Sequence, residues 1–165
     1  MSDVAKSGVT RLGWAAYALA VAVIVIDQLS KFWILDVFAL PDRGSVQVLP
    51  VFHLTMVWNR GVSFGFLRAE ADLARWGLAA FSIAVSIALT IWVRRTTEWL
   101  KAVSLGLVIG GAIGNVVDRI RFGAVADFLD FSGLYFPWVF NVADSAITVG
   151  IILLLLDSLV TRPKA

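Results

Sequence analysis

Four carboxylates stand where long apolar stretches of this chain give way to a loop or resume after one: Asp27, Asp118, Asp127 and Asp144. Ionisable groups in segments this apolar are costly in lipid and need a reason to be there. The chemistry open to them is hydrolysis by an acid pair. Two carboxylates in a low-dielectric site cannot both ionise, so one stays neutral; the ionised member takes a proton from water while the neutral one polarises a carbonyl. Which member holds the proton is a property of the pair. The remaining inventory leaves few rivals. The chain has no cysteine, and its single histidine, His53, cannot build an HExxH zinc site. No metal or other cofactor is expected.

The carboxylates do not read alike. Asp27 and Lys31 lie one helical turn apart on one face, the spacing of an ion pair. Asp118 adjoins Arg119, whose cation would leave it a poor proton donor, so it too reads as structural. Asp144 follows Asn141 by three residues, the spacing of a helix cap and its partner. It then precedes twelve uncharged residues, Ser145 to Leu156, which aim it into the bundle or toward an opening at one rim. A partner for Asp144 on that rim would be Asp127, Asp130 or Asp118, and spacing alone does not choose. His53 reads as a surface residue of a strand.

The elements that must hold these groups are helices in a membrane. Of 165 residues, 59% are hydrophobic and 16% charged, and mean hydropathy is +0.86. A soluble domain is about half apolar and about a quarter charged. Four runs reach the roughly 20 residues that a crossing needs, and spans are expected at 13–35, 75–94, 101–120 and 141–161 of a single domain, 1–165. The fold class is thus an all-α integral membrane protein, a four-helix bundle. Ala-x-Ala triplets within Ala18 to Ala22 lie inside the first run with no polar cleavage region after them, so that run reads as a retained span. Gly106, Gly110 and Gly114 recur every fourth residue, a face on which helices in lipid approach closely.

Lys6, Arg11, Arg94, Arg95, Lys101, Arg162 and Lys164 crowd the termini and the short second connection, which places both termini in the cytoplasm. The first outer connection, Asp36 to Asp72, is long. Val46 to Val57 is rich in β-branched residues and Asn59-Arg60-Gly61 is a turn signal, so a small strand-and-turn element is expected there, with an apolar tip at Phe64 to Leu67. A net charge of +2 gives no argument for nucleic acid.

Five ordered blocks carry a resemblance across nearly the whole chain: Asp27-Gln28-x-x-Lys31, Asn59-x-Gly61-x-Ser63-Phe64, Gly110-Gly111-Ala112-x-x-Asn115-x-x-Asp118-Arg119, Val125-Ala126-Asp127-Phe128 and Phe140-Asn141-x-Ala143-Asp144-Ser145. They resemble the motifs of lipoprotein signal peptidase (signal peptidase II). The resemblance implies an aspartic endopeptidase of the bacterial inner membrane that removes signal peptides from prolipoproteins, cutting before a diacylglyceryl-modified cysteine. It puts the catalytic pair on Asp127 and Asp144. Asn59, Gly61, Asn115, Arg119 and Asn141 fall on positions that bind substrate or support the site, and Asp27, Lys31 and Asp118 on structural polar ones. Ser63 stands where alanine is frequent. The implied partners are the prolipoprotein and the bilayer, with no obligate protein partner and a monomeric chain. Two other readings fit the residue types: a proton- or ion-coupled transport component with Asp27, Asp118 and Asp144 as a relay, and a serine–lysine peptidase using Ser30 and Lys31.

Overall fold

The computed structural model describes residues 8–61 and 68–160. Thr10 caps the first helix, α1 (Arg11–Phe32), its hydroxyl accepting from the Gly13 N–H at 3.0 Å. A wider turn, Trp33–Val37, extends α1, followed by the short α2 (Leu40–Arg43). Strands β1 (Ser45–Leu49) and β2 (Phe52–Asn59) come next, then α3 (Arg68–Val93) and α4 (Trp99–Phe122). The chain finishes with β3 (Val125–Asp130), the two-residue β4 (Val139–Phe140) and α5 (Val142–Val160). Four segments are long and apolar enough to cross a membrane: Arg11–Val37, Asp72–Val93, Trp99–Phe122 and Val142–Leu159. They match the four expected spans to within a few residues.

Helix α4 is the centre of the bundle. Of its most apolar window 67% is buried, against 28%, 17% and 22% for the spans of α1, α3 and α5. Its glycines make that possible. A Cβ at Gly106 or Gly110 would come within 2.8 or 2.7 Å of the Ala16 or Ala20 carbonyl oxygen of α1, and one at Gly111 would strike the Ala143 carbonyl of α5. The glycine face expected from the sequence therefore packs on α1, and Gly111 opens a second close approach to α5. Trp14, Trp92 and Trp99 are exposed at one end of the bundle, and Trp33, Trp76 and Trp138 at the other.

The four-helix bundle is present, and the small strand-and-turn element expected beside it is part of a larger four-stranded antiparallel sheet in the order β1-β2-β3-β4. The expected strand element is a hairpin, and it pairs with residues read from sequence as a loop. His53 lies opposite Asp130, Val57 opposite Asp127 and Asn59 opposite Val125. Asp127 and Asp130 are strand residues. Phe128, facing the other way from Asp127, joins Ile34 and Leu40 in a small core beneath the sheet. Ser63 and the tip at Phe64 to Leu67 lie outside the described residues.

Candidate active site

Asp127 reaches its position because β3 is clamped between β2 and β4 and runs straight into the turn after α4. Gly123 ends α4 in the left-handed conformation (φ 77°), which an L side chain adopts only at a cost, and the chain reverses into Val125. Asp127 is 1% exposed. Asn59, at the end of β2, donates its side-chain amide to Asp127 Oδ2 at 3.0 Å, and Asn141 donates to Asp127 Oδ1 at 2.7 Å. Asn59 is itself fixed by a tight turn, in which the Gly61 N–H donates to Asn59 Oδ1 at 2.9 Å. Gly61 has φ +88°, and a Cβ there would run into the Leu78 side chain.

Asp144 is set by the start of α5. Asn141 caps the helix, its Oδ1 accepting from the Asp144 N–H at 2.9 Å, while Asp144 Oδ2 receives the Asn141 N–H at 3.4 Å. The capping geometry expected from the Asn141–Asp144 spacing is therefore present, and it leaves the other carboxylate oxygen free for a different partner. Asn115, on α4, donates to Asp144 Oδ1 at 2.7 Å, and its own Oδ1 accepts from Asn141 at 3.3 Å. Asn141 thus bonds to both carboxylates, through its side-chain amide to Asp127 and its backbone N–H to Asp144. Two acids are brought into one network of neutral amides.

Burial and the nearby charge of Asp144, in that order, push the Asp127 carboxyl up to about 6 against the bonds from Asn59 and Asn141. Asp130 goes the other way. The Thr55 hydroxyl at 2.7 Å and the Ser132 N–H at 2.8 Å hold it below its ordinary value, which makes it a poor proton donor. Its neighbour across the strands, His53, is half-buried, and its Nδ1 has no partner among the described residues.

Asp118 is not paired with Arg119, contrary to the sequence expectation. Adjacent residues on a helix point about 100° apart, so chain adjacency does not make a pair. Lys31 bridges Asp27 at 2.8 Å and Asp118 at 2.7 Å, and all three are buried. Gln28 adds bonds to Asp27 Oδ2 and Asp118 Oδ1 at 3.1 and 2.9 Å. A relay through Asp27 and Asp118 would have to pass the Lys31 cation bonded to both. The Ser30 hydroxyl donates to the Asp27 carbonyl rather than meeting the Lys31 amine, which removes the serine–lysine arrangement. Arg119 forms no ion pair among the described residues; it donates to the Asn115 carbonyl at 3.3 Å and lies in the field of Asp144, Asp118 and Asp127. Sequence reasoning missed Arg75, which donates to the Arg119 and Ile120 carbonyls at 2.7 and 3.2 Å and so covers the end of α4. Its only signal was a cation at the very start of an expected span.

A bundle of four membrane-length helices carrying a small sheet and an acid–amide network at one end defines a membrane enzyme, and solved structures agree. One described as a bacterial membrane enzyme at 1.9 Å superposes with a TM-score of 0.76, at 29% identity over 94% of this chain and 98% of that one. A second of the same description gives a TM-score of 0.73. The family model for signal peptidase (SPase) II matches residues 19–160. The lipoprotein signal peptidase of Caulobacter vibrioides is 54% identical over 93% of this chain and 92% of its own length, and that of Shewanella halifaxensis 44% over 88% and 86%. The chain belongs to the signal peptidase II family, which is a family of aspartic endopeptidases of the bacterial inner membrane.

Proposed function

We propose that Asp127 and Asp144 are the catalytic pair with which this family member removes signal peptides from prolipoproteins, cutting before the diacylglyceryl-modified cysteine. The observation that carries the reading is the bridging of the two carboxylates by Asn141, with no cation bonded to either among the described residues. The ionised carboxylate takes a proton from a water as the water oxygen attacks the scissile carbonyl carbon. The neutral one donates to the developing oxyanion. The tetrahedral adduct collapses by breaking the C–N bond: the proton taken from water passes to the departing amine of the cysteine, and one hydroxyl of the adduct returns its proton to the other carboxylate, restoring the pair. Arg119, half-buried and without an ion pair among the described residues, lies where it can hold a substrate carbonyl. Asn59, Gly61 and Asn115 keep the carboxylates in place.

A cavity of about 240 Å³ opens beside Asp144 between Phe136, Trp138, Phe140, Thr148 and Val149. Its walls suit an apolar part of the substrate delivered from the bilayer. The site end is assigned to the extracytoplasmic face. The opposite end gathers Arg11, Arg94, Arg95 and Lys101, and there Thr10 bonds to the Arg94 and Thr96 carbonyls, tying the start of α1 to the α3–α4 connection. Both termini then lie in the cytoplasm. The chain acts as a monomer, without a metal or other cofactor. Cleavage of a lipidated prolipoprotein by Asp127→Asn and Asp144→Asn tests the pair, and near-normal turnover by either defeats it. A chelator should leave wild-type turnover unchanged, and inhibition reversed by Zn²⁺ would replace the mechanism with a metal-assisted one.

A further inference from the structure

Beneath the acid pair, the buried cluster of Asp27, Gln28, Lys31 and Asp118 makes two bonds that its own charge balance does not require. Asp118 Oδ2 accepts the backbone N–H of Ala126 at 3.1 Å, and Asp27 Oδ1 accepts the backbone N–H of Ala143 at 3.0 Å. Ala126 immediately precedes Asp127, and Ala143 immediately precedes Asp144. Both alanines and both carboxylates are fully buried at 0% exposure, so water cannot take over either bond. The Ala143 N–H belongs to the first turn of α5, where helix donors have no partner within the helix. Asp27 supplies that partner from α1, 116 residues away along the chain.

We propose that Asp118 and Asp27 are positioning residues for the peptidase reaction, each fixing one catalytic aspartate through the backbone amide of the residue before it. Lys31, bonded to both, ties the two settings into one. The inference rests on the reading of Asp127 and Asp144 as the catalytic pair. Four elements meet in the arrangement: α4 holds the start of β3, α1 holds the start of α5, and Lys31 on α1 closes the ring. Gly114 leaves the room, since a Cβ there would lie 2.7 Å from Asp27 Oδ2. What this geometry sets is the relative placement of two acids that come from different elements and share no direct bond.

The test compares variants that keep or remove the accepting oxygen. Asp118→Leu leaves Lys31 paired one to one with Asp27, so it buries no unbalanced cation, but it strips the Ala126 N–H of its acceptor. Asp118→Asn keeps an oxygen for that N–H, and Gln28 can turn its amide to meet the new NH₂. With a lipidated prolipoprotein as substrate, and rates taken per folded molecule in detergent, Asp118→Leu should lower kcat roughly 100-fold, the scale set by a misplacement of about 1 Å, with KM within about twofold. Asp118→Asn should recover kcat to within about tenfold of wild type. Asp27→Leu and Asp27→Asn should repeat the contrast through Ala143. Equal kcat for Leu and Asn, a loss confined to KM, or unchanged kcat in the Leu variants would overturn the proposal. If neither Leu variant folds, the Asn variants decide, and a kcat loss beyond about tenfold in them overturns it. Asp127→Asn is run alongside: turnover there would sink the catalytic pair itself, whereas an inactive Asp127→Asn with indistinguishable Leu and Asn variants sinks only the positioning.

Discussion

Two groups of acids lie close together at one end of this bundle, and they are held by opposite means. Asp27 and Asp118 are bridged by the single cation of Lys31, with bonds of 2.8 and 2.7 Å, at full burial. Asp127 and Asp144 are held by Asn59, Asn115 and Asn141, which carry no charge. A buried carboxylate bonded to a cation is tied to that partner's position and serves as scaffold. A buried carboxylate bonded only to amides keeps its shape whether or not it carries a proton, since the amides can turn, and so it can trade one. The difference distinguishes the two groups where burial does not, because Asp127 at 1% exposure is as buried as Asp27.

That contrast breaks most visibly on the reactive side. Asp127→Asn and Asp144→Asn should each lower turnover by roughly a thousandfold or more while the protein still inserts and folds, since an amide retains the shape but cannot act as the base. On the scaffold side, Lys31→Met should be the most damaging change to stability. It leaves two buried carboxylates facing each other with no cation, a loss of about 3–5 kcal/mol by thermal unfolding in detergent. A melting temperature close to wild type would mean that one of the two is already protonated.

The next effect is smaller and reverses sign. Asp127 is raised from 3.8 to about 6, so the fold favours its protonated form. The stability that this contributes is present below the ordinary carboxylate value and is lost as pH rises through about 6. Asp127→Asn, uncharged throughout, should therefore be more stable than wild type above that pH, by at most about 3 kcal/mol, with the gain vanishing toward pH ~4. Melting curves across the range check it, and a gain independent of pH would contradict the raised carboxyl. At the far end of the bundle, Glu98→Ala should cost at most about 0.5 kcal/mol, because Glu98 is a surface partner and Lys101 keeps Asp157 at 3.6 Å.

The sequence made some of this legible and hid the rest for physical reasons. Continuous apolar runs announce spans, and the repeat of Gly106, Gly110 and Gly114 announces a close helix face, because both are local signals. The Asp27–Lys31 pair was visible as one turn of helix. Asp118 as the second partner of Lys31 was not, since it comes from another helix and its nearest cation in the chain, Arg119, points elsewhere. Strand β3 was read as a loop because Val-Ala-Asp-Phe-Leu-Asp is short and carries two charges three residues apart with no apolar–polar alternation, and only its pairing with β2 makes it a strand. The Asn141–Asp144 spacing did reveal a cap. That the cap also joins two acids depends on Asn115 and Asp127, which no spacing brings together.

The pairing of β2 with β3 bears on biosynthesis. Asn59 waits for a partner made 68 residues later, and Asp27 for one made 116 residues later. A nascent chain whose first two spans are already in the membrane thus holds one wall of the site with nothing opposite it. A chain that lacks its last helix lacks Asn141 and Asp144, and with them the bonds that join Asn115 and Asp127 into one network.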